Sequence, residues 1–450
     1  MNADSSTGLD RRTWKLIGVV ILAPLMTQLD STIVNVSLSS IREELHSSIS
    51  AAQWIISGYL LALALVLPLN GWLVDRVGTK KLYLSCFSAF TIASFVCGAA
   101  RTMPELICAR VFQGIAGGLL APLTQLMLAR VAGKQMVRVL GYAAAPILIA
   151  PLLGPILAGV ILKHAHWPWL FYVNLPIGVI AVFLAILYVP NDRAMLRKRP
   201  FDLVGFATLS PGLAFLLYGF EQASHHEGIW GLLVGAILFG VFLWHARRKK
   251  TEALIDLGLF RIRTFAISST TQFLSNGILY AGQFLIPLYL ISGCRLTPSQ
   301  AGWLLAPMGL GMMCVYPILG WLTDRFGCRA VASGGVLINS LGTLPFLWMA
   351  HAGLSMGWSV IGMFVRGLGQ GATGLPAIAA GYASVPKERL SYATTAMNIA
   401  QRLGGPIATT ALAIVMSLLG ESSYFAAFLA LILLQLLVLG SALRLPVRAE

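Results

Sequence analysis

Charge is scarce in this chain. Asp, Glu, Lys and Arg make up 11% of its 450 residues, where a soluble protein carries roughly 25%. Acids are scarcer still, 17 against 32 Lys and Arg, for a formal net charge of +15. That balance raises nucleic acid as a partner, but neither an aromatic–basic RNA motif nor zinc-finger spacing accompanies it, and no nucleic-acid partner is expected. The six cysteines (Cys86, Cys97, Cys108, Cys294, Cys314 and Cys328) form no CxxC pair; they read as small hydrophobes. The seven histidines show no metal-ligand spacing, and no metal is expected. No GxxxxGK[ST] loop exists to cradle a nucleotide phosphate, which excludes an ATP-driven engine. A nucleophile, acid pair or metal cluster at one height, as a membrane-embedded enzyme would need, is also missing.

Apolar length is what the chain has in abundance: 57% of residues are hydrophobic and the mean hydropathy is +0.79. Crossing about 30 Å of hydrocarbon takes about 20 mostly apolar helical residues. Fourteen such runs lie near 15–38, 52–74, 82–99, 104–127, 138–162, 168–189, 203–221, 229–246, 264–292, 300–320, 330–350, 356–378, 391–418 and 424–443. The first follows a polar, then basic leader, "MNADSSTGLDRRTWK", and is too long for a signal-peptide core. With the N-terminus inside, 25 Lys and Arg fall in internal segments and 4 in external ones. The positive-inside rule therefore predicts both termini in the cytoplasm of a multi-pass protein of the cell (inner) membrane.

Four charges stand inside the predicted spans: Asp30, Arg110, Arg366 and Arg402. A carboxylate at a helix centre costs about 2.5–3.5 kcal/mol on insertion scales, so something must offset or use it. Counting at 1.5 Å per residue puts Asp30 about 20 Å and Arg110 about 21–24 Å above the inner boundary. The two heights allow a pair between the first and fourth spans. Desolvation and a neighbouring arginine pull a carboxylate's proton affinity in opposite directions, which makes Asp30 with Arg110 a candidate proton-coupling pair. A structural ion pair explains the same letters. Arg366 and Arg402 have no acid at comparable depth; they either snorkel or bond carbonyls, or attract an anion, or compensate Asp30 at a distance.

Two segments repeat across the chain: "GWLVDRVGTKK" (71–81) and "GWLTDRFGCRA" (320–330). Gly71 and Gly320 allow close approach, the acids Asp75 and Asp324 and the arginines Arg76 and Arg325 can cap or pair across the turn, and Gly78 and Gly327 permit a tight reversal. Elsewhere, Gln272, Asn276, Tyr280 and Gln283 share one side of the ninth span. They read as a substrate-cavity stripe or as interhelical glue, joined by Asn398, Gln401 and Arg402 in the thirteenth. In "APLLGPILAG" (150–159), Pro155 removes a backbone donor, while Gly154 and Gly159 allow close helix contact.

In these segments the chain resembles the major facilitator superfamily, in particular its fourteen-helix drug:proton antiporter branch. The repeated loop resembles that superfamily's loop signature, and "LICARVFQGIAGG" (106–118) its fourth-helix arginine motif. "APLLGPILAG" resembles the antiporter motif of the fifth helix. "LDSTIVNVSL" (29–38), "WPWLFYVNLPIG" (167–178) and "LFRIRTF" (259–265) are similar to further segments of the branch. The resemblance implies an all-α membrane fold of two six-helix halves, 1–190 and 264–450, with two extra helices and their linkers in 191–263. It also implies proton-coupled export of lipophilic or amphipathic drugs; export of one metabolite or an organic anion is the alternative. The expected partners are a small-molecule substrate and the lipid bilayer, with protons as coupling ion and no cofactor; a monomer is compatible with the sequence. Two departures matter. The tenth span holds no acid, which argues against dicationic cargo, and the second arginine motif reads "RGLGQG" (366–371), one residue longer than "RVFQG".

Overall fold

The computed structural model describes residues 9–192, 196, 199–222, 226–419 and 423–447; these residues are helical, with turns and no β-strand. The helical runs are α1 (Arg11–Glu44), α2 (Ile49–Val77), α3 (Thr79–Ala99), α4 (Met103–Ala132), α5 (Met136–His164), α6 (Trp169–Tyr188), α7 (Leu203–Glu221), α8 (His226–Lys249), α9 (Arg263–Gly293), α10 (Pro298–Ala352), α11 (Met356–Ala383), α12 (Lys387–Leu419) and α13 (Tyr424–Ala442). Among the described residues, twelve helices are long and apolar enough to cross a membrane. The fourteen runs expected from sequence reduce to twelve for two reasons. The 55-residue α10 holds two of them in one helical run, broken at Gly327. The 28-residue α11, diluted by Arg366, Gln370 and several glycines, is not among the twelve.

Local chemistry sets the helix ends. Thr102 caps α4, its hydroxyl accepting from the Glu105 N–H, with a proline in the first turn. Thr297 and Gln300 form a reciprocal capping box at the start of α10, the arrangement that satisfies two otherwise orphan donors. α4, α7, α9, α11 and α12 each carry a proline in their interior, which membrane helices tolerate more readily than soluble ones.

The chain divides into two compact units, Met1–Gly133 with Pro146–Phe201, and Lys134–Ala145 with Asp202–Glu450. In the first, Ile33, Ile55, Leu106 and Phe171 are the middle of a buried apolar cluster; in the second, Leu285, Phe346, Phe428 and Leu431 play that part. The outside is apolar too. Phe112, Trp303 and Leu418 are 68%, 78% and 78% exposed, and a helix face covered with such residues needs lipid rather than water around it.

Both copies of the repeated loop turn on a glycine of positive φ, +88° at Gly78 and +84° at Gly327. The residue after each glycine then donates its N–H to a fixed acceptor. Thr79 N–H reaches Asp192 Oδ2 at 2.8 Å in the first unit, and Cys328 N–H reaches the Val447 carbonyl at 2.9 Å in the second. The arginine of each copy lies over the tryptophan of its own motif, Arg76 on Trp72 and Arg325 on Trp321.

Candidate functional site

The first unit encloses an ion pair. Asp30 on α1 and Arg110 on α4 are 0% and 1% exposed, with Arg110 Nη1 2.6 Å from Asp30 Oδ2. The other carboxylate oxygen, Oδ1, accepts from Gln113 Nε2 at 3.0 Å and from Asn174 Nδ2 of α6 at 2.8 Å. Both amides also donate to Ser94 Oγ on α3. Arg110 Nη1 donates to Gln113 Oε1 as well, and its Nε donates to the Ile55 carbonyl of α2 at 3.2 Å. The ring of Tyr59 stacks against the guanidinium, 4.2 Å from its carbon.

Five helices thus converge on one carboxylate. α4 supplies two of the polar neighbours, Arg110 and Gln113, and α3 and α6 one each; both amides donate within the cluster, as a dry interior requires, while the Asn174 Oδ1 lacks a partner. Losing the Asp30 charge would take the counter-charge from Arg110 Nη1 and weaken two amide contacts at once. These bonds tie the carboxylate on α1 to α4 and α6.

The second unit carries a comparable cluster without an acid. Arg366 on α11 is 1% exposed, so it does not snorkel. Nor does it bond a carbonyl: its Nη1 donates to Thr343 Oγ1 of α10 at 2.5 Å. Gln435 Nε2 of α13 donates to the same hydroxyl, and Asn339 Nδ2 donates to Gln370 Oε1. The Arg366 Nε and the Gln435 Oε1 lack hydrogen-bond partners. Across from the guanidinium stands Gly282 of α9, where a Cβ would run into Arg366.

The stripe on α9 grades from inside to outside. Gln272 is buried with its Oε1 unpartnered, Asn276 is half-buried and donates to the Gln272 carbonyl, and Tyr280 and Gln283 are exposed. Close approach at Gly277 and Gly404 packs α12 against α9. Asn398 there is buried and donates to the Thr394 carbonyl, while Gln401 and Arg402 are half-buried.

The loop motifs sort differently from their letters. Buried Asp75 lies 3.7 Å from Arg199 rather than pairing with Arg76, and Asp324 takes Arg138 at 2.9 Å rather than Arg325. Gly71 is buried. Gly320 is closed over by Arg138 and Gly154 by Thr32; Pro155 lies inside a helix, Ala150–His164. Gly159 does not make the close contact expected of it: among the described residues, no heavy atom beyond its own stretch of helix lies within 4 Å of where its Cβ would stand. Outside the spans, burial opposes ionisation of Asp192, yet hydrogen bonds from Thr79 and Arg130 outweigh it and hold the carboxyl below its usual range.

The residues that complete the Asp30 site, Ser94, Gln113 and Asn174, were not singled out from sequence. Gln113 and Asn174 carried a signal, an amide within each of two quoted motifs. Ser94 carried none.

Residues 20–409 match the family profile described as Major Facilitator Superfamily. The chain is 32% identical over 418 residues to the Multidrug resistance protein B homolog of Mycobacterium tuberculosis, covering 91% of this chain and 77% of that one. It is 34% identical over 366 residues to MdtD of Escherichia coli, 79% and 75% of the two chains, another protein named for multidrug resistance. Among solved structures, a double-Trp mutant of XylE superposes with TM-score 0.69 at 13% identity over 96% of both chains. The human organic anion transporter MFSD10 (TETRAN) superposes with TM-score 0.65 at 15% identity, over 95% of this chain and 99% of that one. These two likenesses concern the fold.

Proposed function

This chain belongs to the Major Facilitator Superfamily, and from that premise we propose that it is a proton-coupled drug antiporter whose proton passes through Asp30. It is a multi-pass membrane transporter, not an enzyme, and the names of its relatives support drug efflux. The finer reading is a cell-membrane protein of fourteen spans, in two six-helix halves plus the α7–α8 pair, with both termini cytoplasmic. Supporting it are the loop charge asymmetry, the length of α10, which is enough for two spans, and α11, long enough to cross although polar. Its partners are a small lipophilic or amphipathic substrate and the bilayer, and it needs no cofactor beyond the proton.

One observation carries the proposal: a fully buried carboxylate held by an arginine and two amides that four further helices support. Intramembrane acids of this kind are functional by default. The driving force is the electrochemical gradient, about 2.3 kcal/mol per charge per 100 mV. Substrate leaves as a proton loads Asp30 on one side and departs on the other. Proteoliposomes under an imposed pH gradient test this: substrate-triggered proton flux is expected from wild type and absent from Asp30→Asn. Flux that persists in the variant makes the pair structural. A second reading, export of an organic anion, is favoured by buried Arg366 with its unpartnered Nε; flux triggered by anions and not by lipophilic cations selects it.

A further inference from the structure

A crevice of about 950 Å³ lies within the second unit. Its walls are apolar, formed by Leu209 of α7, Phe239 and Phe242 of α8, Phe273 of α9, and Ile399 and Leu403 of α12. None of the polar stripe residues Gln272, Asn276, Tyr280 or Gln283 lines it, so it is separate from the candidate substrate face. At its mouth stand Arg247, Lys250 and Arg261. These three are exposed and, among the described residues, have no ion-pair partner. A fourth cation there, Arg389, is already held by Asp256 at 3.3 Å.

The depth suits a lipid. Phe239 lies about 12 Å from Arg247 along its helix, and Leu403 about 20 Å from Leu390, at 1.5 Å per residue. Aromatic residues mark the same level: exposed Trp244, with the Arg248 guanidinium 3.8 Å above its ring, and exposed Phe260. Such residues collect where hydrocarbon meets head groups. The segment that borders the crevice is also anchored. Asp202 caps α7 through the Gly205 N–H and accepts from His245, Lys249 and the Leu254 N–H. Asp256 accepts from the Gly258 N–H and pairs with Arg389. Those bonds tie the middle of the segment between α8 and α9, at Leu254 and Asp256, to Asp202 and Arg389.

An apolar slot this deep favours hydrocarbon over water, and three unpaired cations at its rim favour a phosphate. A neutral lipid meets only the first demand and a free phosphate only the second. We propose that the crevice binds one anionic phospholipid, with acyl chain between the α7–α8 hairpin and α9 and α12, and head group at Arg247, Lys250 and Arg261. The orientation proposed above enters only in naming the leaflet, which is the cytoplasmic one. Basic pockets between transmembrane helices on that side bind acidic head groups in general.

Native mass spectrometry of the full purified chain, titrated with phosphatidylglycerol, phosphatidylcholine or glycerol phosphate, tests the proposal. Wild type is expected to retain one phosphatidylglycerol in preference to phosphatidylcholine and to ignore glycerol phosphate. Near an anionic group each cation is worth roughly a factor of five, so Arg247→Gln/Lys250→Gln/Arg261→Gln together weaken retention on the order of a hundredfold. Ala400→Phe, which fills the slot and leaves the cations in place, abolishes it. Equal melting in phosphatidylcholine nanodiscs establishes that both variants are folded. Equal retention of the two lipids, glycerol phosphate binding as tightly as phosphatidylglycerol, retention unchanged in both variants, or displacement of the lipid by transported drug each overturns the assignment. Proton flux is not read, so the antiport reading and this one fail separately.

Discussion

Two buried polar clusters, one in each unit, are built to a common plan and differ chiefly in one respect. Arg110 with Gln113 on α4 corresponds to Arg366 with Gln370 on α11, each pair on a glycine-rich helix. Ser94 and Asn174 surround the first, as Asn339 and Gln435 surround the second. The first, however, holds Asp30 against its arginine, whereas the second presents Gly282. An arginine facing a carboxylate can answer a proton. One facing a hydroxyl and a glycine is a fixed charge that no proton at that position neutralises. Under the antiport proposal, coupling belongs to the first unit and the second keeps an anion-attracting or purely structural role.

The hardest blow to that comparison falls on Asp30. Asp30→Asn leaves Arg110 buried without a counter-charge, and breaking such a pair costs about 3–5 kcal/mol. The double variant Asp30→Asn/Arg110→Gln is expected to regain much of that in thermal melting while remaining dead in proton flux. A double variant as unstable as the single one would mean that the amides, not the ions, hold the cluster. Arg366→Gln removes a charge with no acidic partner. It is expected to shift stability by no more than about 1–2 kcal/mol and to leave substrate-triggered proton flux intact. Loss of flux in that variant would end the division of labour between the clusters.

The two loop turns sharpen the comparison on a smaller scale. A residue with a Cβ at positive φ costs about 1–3 kcal/mol. Gly327→Ala should lie at the upper end, because its Cβ would meet the Val447 backbone carbonyl; Gly78→Ala should lie lower, since the Asp192 side chain in its way can move. Denaturation of the two variants side by side decides this, and equal losses would erase the distinction. Smallest is Asp192→Asn, at about 1 kcal/mol. The folded carboxyl titrates below its unfolded value, so its contribution is complete above about pH 4 and fades as the pH falls through the lower folded value. The variant's deficit should therefore be constant from pH 5 to 8 and shrink in stronger acid.

Much of this was legible in the letters. The scarcity of charge forced a membrane protein, and 1.5 Å per residue put Asp30 and Arg110 at one height. The repeat at 71–81 and 320–330 announced paired loops, and both turn on the expected glycines. Reading failed where distance along the chain hides neighbours in space. Asp75 and Asp324 stand beside Arg76 and Arg325 in sequence, yet they take Arg199 and Arg138, while the adjacent arginines lie on tryptophans. Gly154 and Gly159 look alike, but only the first meets another helix.

What the sequence determined by itself was the medium and the cast: helices sized to hydrocarbon, and a handful of polar side chains too costly to be idle there. Those follow from transfer energies, which each residue carries wherever it lies. Which of those side chains meet was decided only by tertiary structure. A hydrogen bond needs atoms within about 3 Å, and helix packing brings Asp30, Ser94, Arg110, Gln113 and Asn174 to that range from four separate helices. The same packing sets Arg366 against a glycine, where no count along the chain would find it.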